Sequence, residues 1–312
     1  MSTLPAFNPP FERMALIGLG LIGSSLAWAA RRYGLARTIV GHARSEATRA
    51  RAVELGFVDA VMPTAHAVAA NADLVVLCVP VGANAAIAAE IGPALAPGAI
   101  VTDVGSVKGA VLRDLLPHMP PGVQIVPSHP IAGTEHSGPD AGFAELFVNR
   151  WCVLTPPESA DPAAVERLTS FWRACGMSVE LMTAEHHDLV LAITSHVPHL
   201  IAYNIVGTAA DLEAVTRSEV VKYAAGGFRD FTRIAASDPV MWRDVFLNNR
   251  DAVLEMLGRF VEDLTALQRS IRWGDGAALE ALFVRTRAIR RGIIEAGQET
   301  DAADFGRRDH ET

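Results

Sequence analysis

Basic residues are in short supply in this 312-residue chain, where 27 Lys and Arg stand against 35 Asp and Glu for a formal net charge of −8. Nucleic acid and anionic membrane surfaces reward a basic face, so neither is expected as a partner and the ligand should be a small molecule. Cysteine is scarce too. Cys78, Cys152 and Cys175 lie far apart with no C-x-x-C spacing, which argues against a disulfide framework and against a zinc site. The opening MSTLPAFNPPFER lacks the charged lead into an apolar core that marks a signal peptide. No uninterrupted apolar stretch reads as long enough to span a bilayer. A soluble cytoplasmic protein is the expectation.

Half of the residues are apolar and a fifth are charged, an ordinary globular balance. The length exceeds what one hydrophobic core usually serves, so two domains are expected. The most informative stretch is Arg13 to Gly23, where an apolar run empties into glycines spaced G-x-G-x-x-G. Gly18 would allow a tight turn, Gly20 a close approach of pyrophosphate, and Gly23 close packing of the next helix, with Leu21 and Ile22 offering backbone N–H groups. Ile22, Leu26, Ala29 and Tyr33 then recur at helical spacing until Gly34, and Thr38 to Gly41 reads as a second strand. Strand, glycine turn, helix and strand together form a dinucleotide-binding unit.

The rhythm continues with strands at 72–80, 99–104 and 123–126 and helices between them, as in a doubly wound parallel sheet. Ligands of such sheets bind beyond the carboxyl ends of the strands, which gathers 18–23, Val79 and Pro80, 103–108 and 127–134 around one crevice. Two more strands around a helix, from Trp151 to Thr183, complete a first domain at 13–183. From 184 to 296 the pattern is helical, with a long apolar helix bent at Pro198, a strong helix start at Ser237-Asp238-Pro239, and an apolar stripe from Trp242 to Leu267. Such faces suit a homodimer. A head at 1–12 and a tail at 297–312 are expected to be poorly ordered.

Three groups of residues could carry chemistry. At the end of the second strand an NAD enzyme usually offers a carboxylate to the ribose, but the position falls on Ala43, followed by Arg44 and Ser45, so NADP is favoured over NAD. His129 and Ser106 sit near the nicotinamide end of the crevice, where a histidine can take a proton as hydride leaves and a serine can fix its ring. In the helical part, His196 and His199 lie one turn apart and Arg229, Asp230 and Arg233 follow a Gly-Gly turn. An arginine there could grip a carboxylate or pair with Asp230. No acidic or cysteine partner accompanies the two histidines, so no metal is expected. His186 and His187, at a helix start among polar residues, read as surface.

GLGLIG at 18–23, DVGSVKG at 103–109, SHPIAGTEHSG at 128–138, SHVPHL at 195–200 and DFTRIAASDPVMWRD at 230–244 together closely resemble the prephenate and arogenate dehydrogenase family of tyrosine biosynthesis. The resemblance covers about 13–296. It implies an α/β Rossmann-type parallel-sheet domain followed by an all-helical dimerisation domain, an NAD(P) cofactor, and oxidative decarboxylation of a cyclohexadienol. It also implies that His129 acts on the ring 4-hydroxyl with Ser106 orienting it, that His199 and Arg233 bind substrate, and that His196, Glu135 and Trp242 lie near the site. His136 departs from the Lys or Gln common in relatives. Two alternatives stay open: another dehydrogenase with a helical second domain, of the β-hydroxyacid or imine reductase type, and a dinucleotide-binding protein without turnover.

Overall fold

The apolar run before the glycines forms a strand, Phe11–Ile17 (β1), and the glycines turn it into the helix Leu21–Tyr33 (α1). This computed structural model describes residues 10–134, 136–216 and 226–295, with the side chains of 212–216 left aside. The chain groups into two compact bodies, one ending at Val253 and the other beginning at Leu254. The change to helical pattern at Thr183 therefore falls inside the first body.

After α1 come β2 (Ala36–His42), α2 (Glu46–Leu55), β3 (Ala60–Val61), α3 (Ala65–Ala69), β4 (Leu74–Leu77), α4 (Asn84–Ile91), β5 (Ile100–Asp103), α5 (Lys108–Leu115) and β6 (Gln124–Ile125). The six strands pair in the order β3-β2-β1-β4-β5-β6, all parallel. Crossover direction reverses between β1 and β4, which opens the ligand crevice there. Successive residues of β1 feed opposite faces, Met14 and Leu16 packing with Leu26, Phe57 and Trp172, and Ala15 and Ile17 with Val68, Val75 and Val111. That two-sided burial explains why the strands read as continuous apolar runs.

Pro127 has no N–H with which to extend the β6 ladder. The chain leaves the sheet and starts β7 (Ser128–Pro130), which pairs antiparallel with β8 (Trp151–Leu154). Helix α6 (Pro162–Ala174) follows, and then β9 (Ser178–Leu181), parallel to β8. The two strands expected before Thr183 thus exist, but they belong to a separate three-stranded sheet with β7.

Among the described residues no strand follows β9. Helix α7 (Ala184–Leu191) passes through one wide π-helical turn at Ala192–His196 into α8 (Val197–Thr216). The wide turn sits directly ahead of Pro198, which cannot donate to the helix ladder. Next are α9 (Gly226–Thr232), α10 (Pro239–Asn248), α11 (Arg250–Trp273) and α12 (Gly276–Glu295). The stripe from Trp242 to Leu267 is not one helix as expected. It breaks at Asn249 (φ −106°, ψ 33°), whose carboxamide is drawn to the carbonyl of Asp188.

The second body holds most of α11 and all of α12, and its Val261, Leu264, Phe283, Val284 and Ile289 are exposed. One expectation needs amending. By length and composition the helical run Ala184–Asp211 could cross a membrane, the one such run among the described residues. Its polar residues explain its place here, because His187, Asp188 and His196 are buried and hydrogen-bonded inside the first body.

Candidate active site

At the nucleotide end the three glycines do three different things. Gly18 has φ +102°, and a Cβ there would stand 2.1 Å from the Cys78 carbonyl oxygen, so the turn lies hard against the strand leading to Val79 and Pro80. A Cβ on Gly23 would stand 2.1 Å from the Gly18 carbonyl oxygen, which is how closely α1 packs on its own turn. Around Gly20 a Cβ would meet nothing within 4 Å, and no side chain caps α1 or places a carboxylate in its first turn. The first N–H groups of α1 are thus left without a side-chain cap at a helix N-terminus, and the open space at Gly20 suits a pyrophosphate.

The edge of this cradle is the end of β2. Ala43 is buried, while Arg44 and Ser45 are exposed. The Ser45 hydroxyl accepts weakly from Thr48 N at 3.4 Å as the cap of α2. Arg49, which sequence reasoning passed over, donates to the carbonyls of Ala43 and Arg44 at 2.6 and 3.1 Å and holds this loop.

Across the crevice lies a buried ion pair. Lys108 Nζ donates to Asp103 Oδ2 at 2.5 Å and to the Ser128 carbonyl at 2.6 Å, with both charged side chains at most 1% exposed. Burial pushes the Asp103 carboxyl up and the Lys108 ammonium down, while their contact and the Gly105 and Ser128 amides favour the charged pair. The pair anchors the strand residue immediately before His129.

His129 is buried on β7, and its Nδ1 stands 2.9 Å from Nε2 of His187. The rings meet edge to face with centroids 5.1 Å apart. His187 Nδ1 lies 2.8 Å from Asp188 Oδ1. Asp188 also accepts from the first amides of α5, Lys108 N at 2.7 Å and Gly109 N at 2.9 Å. The reading of His187 as a surface residue is therefore wrong: it is fully buried, because β7 and α5 close over this face of α7, while His186 stays exposed. The contact expected from Ser106 to His129 is made by His187 instead, and among the described residues Ser106 makes no hydrogen bond to that ring.

The helical side closes the crevice. Asn249 Nδ2 donates to the Asp188 carbonyl at 2.8 Å and to His196 Nδ1 at 3.0 Å, leaving the His196 proton on Nε2, beside the Ser106 backbone without a well-formed bond. His199 holds the Ser195 carbonyl through Nδ1 at 2.8 Å and stacks on Trp242 at 3.6 Å. Arg233, in a short turn after α9, is exposed and close enough to depress the His199 pKa. His129, Ser106, His196, His199, Trp242 and Arg233 are thus linked by contacts into one neighbourhood. Glu135 lies outside the described residues.

Four histidines here are held neutral. Burial lowers His129 well below 6.5, helped by His187, Lys108 and His196; burial also lowers His187 and His199, and takes His196 to about 4. An unfolded chain would protonate these groups near 6.5, so stability is full above that pH and falls as pH drops toward 4. For His196 alone the loss is about 3 kcal/mol. Urea midpoints at pH 7.5 and 5.0 check this: a lower midpoint at 5.0, with a smaller drop in His196→Gln, is the expected outcome.

What such a crevice can do is move a hydride, with an anion cradle at one end and a neutral proton acceptor near the other, as in the nicotinamide-dependent dehydrogenases. Comparison narrows this class. Residues 26–181 match the family described as prephenate dehydrogenase, nucleotide-binding domain, and 183–285 match its dimerization domain. The chain belongs to the prephenate dehydrogenase family.

A cyclohexadienyl dehydrogenase of Zymomonas mobilis is 44% identical over 283 residues, 91% of this chain and 96% of that protein. A prephenate dehydrogenase of Bacillus subtilis is 31% identical over 287 residues, 92% of this chain and 77% of that protein. Among solved structures, prephenate dehydrogenase of A. aeolicus in complex with hydroxyphenyl propionate and NAD+ superimposes with a TM-score of 0.83 at 33% identity, covering 94% of this chain and 100% of that one. Synechocystis arogenate dehydrogenase does so with a TM-score of 0.75 at 30% identity, covering 90% and 99%.

Proposed function

We propose that this protein catalyses oxidative decarboxylation of prephenate, arogenate or both, as a cytoplasmic homodimer. The observation that carries this reading is the neutral, buried His129 across the crevice from the α1 cradle, with His199, Trp242 and Arg233 joined to it on the helical side. A bound nicotinamide would supply the acceptor for a hydride from ring C4. His129 takes the proton of the 4-hydroxyl, so that a carbonyl forms at C4. The ring carboxylate then leaves as CO2, and the electrons of the broken C–C bond make the ring aromatic. His129 returns its proton to the phenolate oxygen. Arg233 grips a substrate carboxylate and the His199–Trp242 stack forms a flat wall for the ring, so Arg233→Ala raises KM about tenfold or more with a smaller effect on kcat.

NADP is the proposed cofactor. Arg44 is exposed at the end of β2, Ala43 offers no carboxylate, and Arg49 adds a second guanidinium that fixes the loop. A rate matrix of two substrates against NAD and NADP tests the whole reading, and no reduced cofactor in any of the four cells would overturn it. In the same assay Ala43→Asp shifts preference toward NAD, because a carboxylate would repel a 2′-phosphate and accept from a 2′-hydroxyl. Homodimerisation is supported by the exposed apolar residues of α11 and α12, which are costly to leave in water. The proposed division of labour is nucleotide binding by 13–183 and dimerisation with substrate binding by 184–296.

A further inference from the structure

We propose that Asp188 and His187 act as positioning residues that set the tautomer of His129, so that its lone pair lies on Nε2 and is available to the substrate hydroxyl. This rests on His129 being the proton acceptor. The argument is one of hydrogen-bond inventory. An ionised carboxylate only accepts, so the 2.8 Å contact requires a proton on Nδ1 of His187. Neutral His187 then carries its lone pair on Nε2, and the 2.9 Å contact to His129 Nδ1 requires a proton on that nitrogen. In neutral His129 only Nε2 remains to act as base.

Asp188 is in turn fixed by Lys108 N and Gly109 N, and its backbone carbonyl by Asn249. His187, Lys108 and His196 oppose positive charge on His129, whereas at His187 Asp188 and Asp103 favour it against the opposition of Lys108. When His129 takes a proton at Nε2 the charge is shared toward His187 and Asp188. The proton itself stays on His129 until it returns to the product oxygen. Burial alone would not call for this sequence of donors and acceptors, and a phenylalanine could fill the His187 site.

The test reads the imidazole nitrogens directly. In 15N-histidine-labelled full-length protein at pH 7.5, with His129 resonances assigned by their loss in His129→Asn, His129 should show a protonated Nδ1 and a bare Nε2. His187→Phe should move the proton toward Nε2 and lower kcat about a hundredfold with KM changed about twofold or less. His187→Gln, whose amide oxygen can still accept from Nδ1, should recover most of that loss and the wild-type nitrogen pattern. Protonation of wild-type His129 on Nε2 overturns the relay, whether or not the phenylalanine variant folds. So does His187→Phe with wild-type kcat and nitrogen pattern. A wild-type kcat in His129→Asn would instead overturn the reading of His129 as base, so the two failures are distinct.

Discussion

His129→Asn lowers kcat about a thousandfold and leaves KM within a few-fold of wild type, because a group that takes a proton only as hydride leaves acts in the transition state and adds little to ground-state binding. Asparagine can hydrogen-bond where Nδ1 does, but it cannot hold a proton at pH 7. The acid limb of kcat/KM provides an independent check. The base must be neutral to work, and burial, then His187, Lys108 and His196, hold His129 well below 6.5. Activity should therefore be flat above pH 7 and fall only on acidification below the ordinary histidine range. Near-normal turnover in His129→Asn, or a limb above 6.5, would remove this residue from its role.

Lys108→Met costs about 3–5 kcal/mol of stability, because it strands the Asp103 carboxylate in the interior, and an unpaired buried charge is far more costly than a buried pair is stabilising. The methionine stem fits where the lysine stem ran, so the loss reports the charge rather than a cavity. Asp103→Leu in the same chain removes the stranded charge and should restore much of the midpoint. Urea unfolding at pH 7.5 of the single and double variants decides between the ionic and packing accounts. A double variant no more stable than Lys108→Met would mean that the pair matters mainly for the hydrogen bonds Asp103 accepts from Gly105 N and Ser128 N and the one Lys108 donates to the Ser128 carbonyl.

The parts of this protein that could be read from its sequence are those governed by neighbours in the chain. A positive φ at Gly18, a cap-free N-terminus at Gly20 and two-sided burial of β4 all follow from local residue types, so the nucleotide unit and the alternation around it were visible. His129 was visible because its loop follows a strand of that alternation. What escaped depends on distant partners. His187 looks polar and terminal on its helix, and only the arrival of β7 and α5 buries it. The break at Asn249 was hidden because the apolar stripe runs straight through it, and the carbonyl that captures its amide is 61 residues away. Asp103 and Lys108 were both in view within DVGSVKG, but nothing local says that the lysine turns inward.

Asp188 also has a mechanical meaning. On α7 the Asp188 carboxylate carries the start of α5 and the ring of His187 beside His129, and its backbone carbonyl carries the junction between α10 and α11. Three segments far apart in the chain, α7, α5 and the α10–α11 junction, are thereby riveted at a single point, and Lys108 ties the strand of His129 to the same rivet. The groups around His129 are consequently braced against one another rather than held singly, so displacing any one of them disturbs the hydrogen bonds of the others.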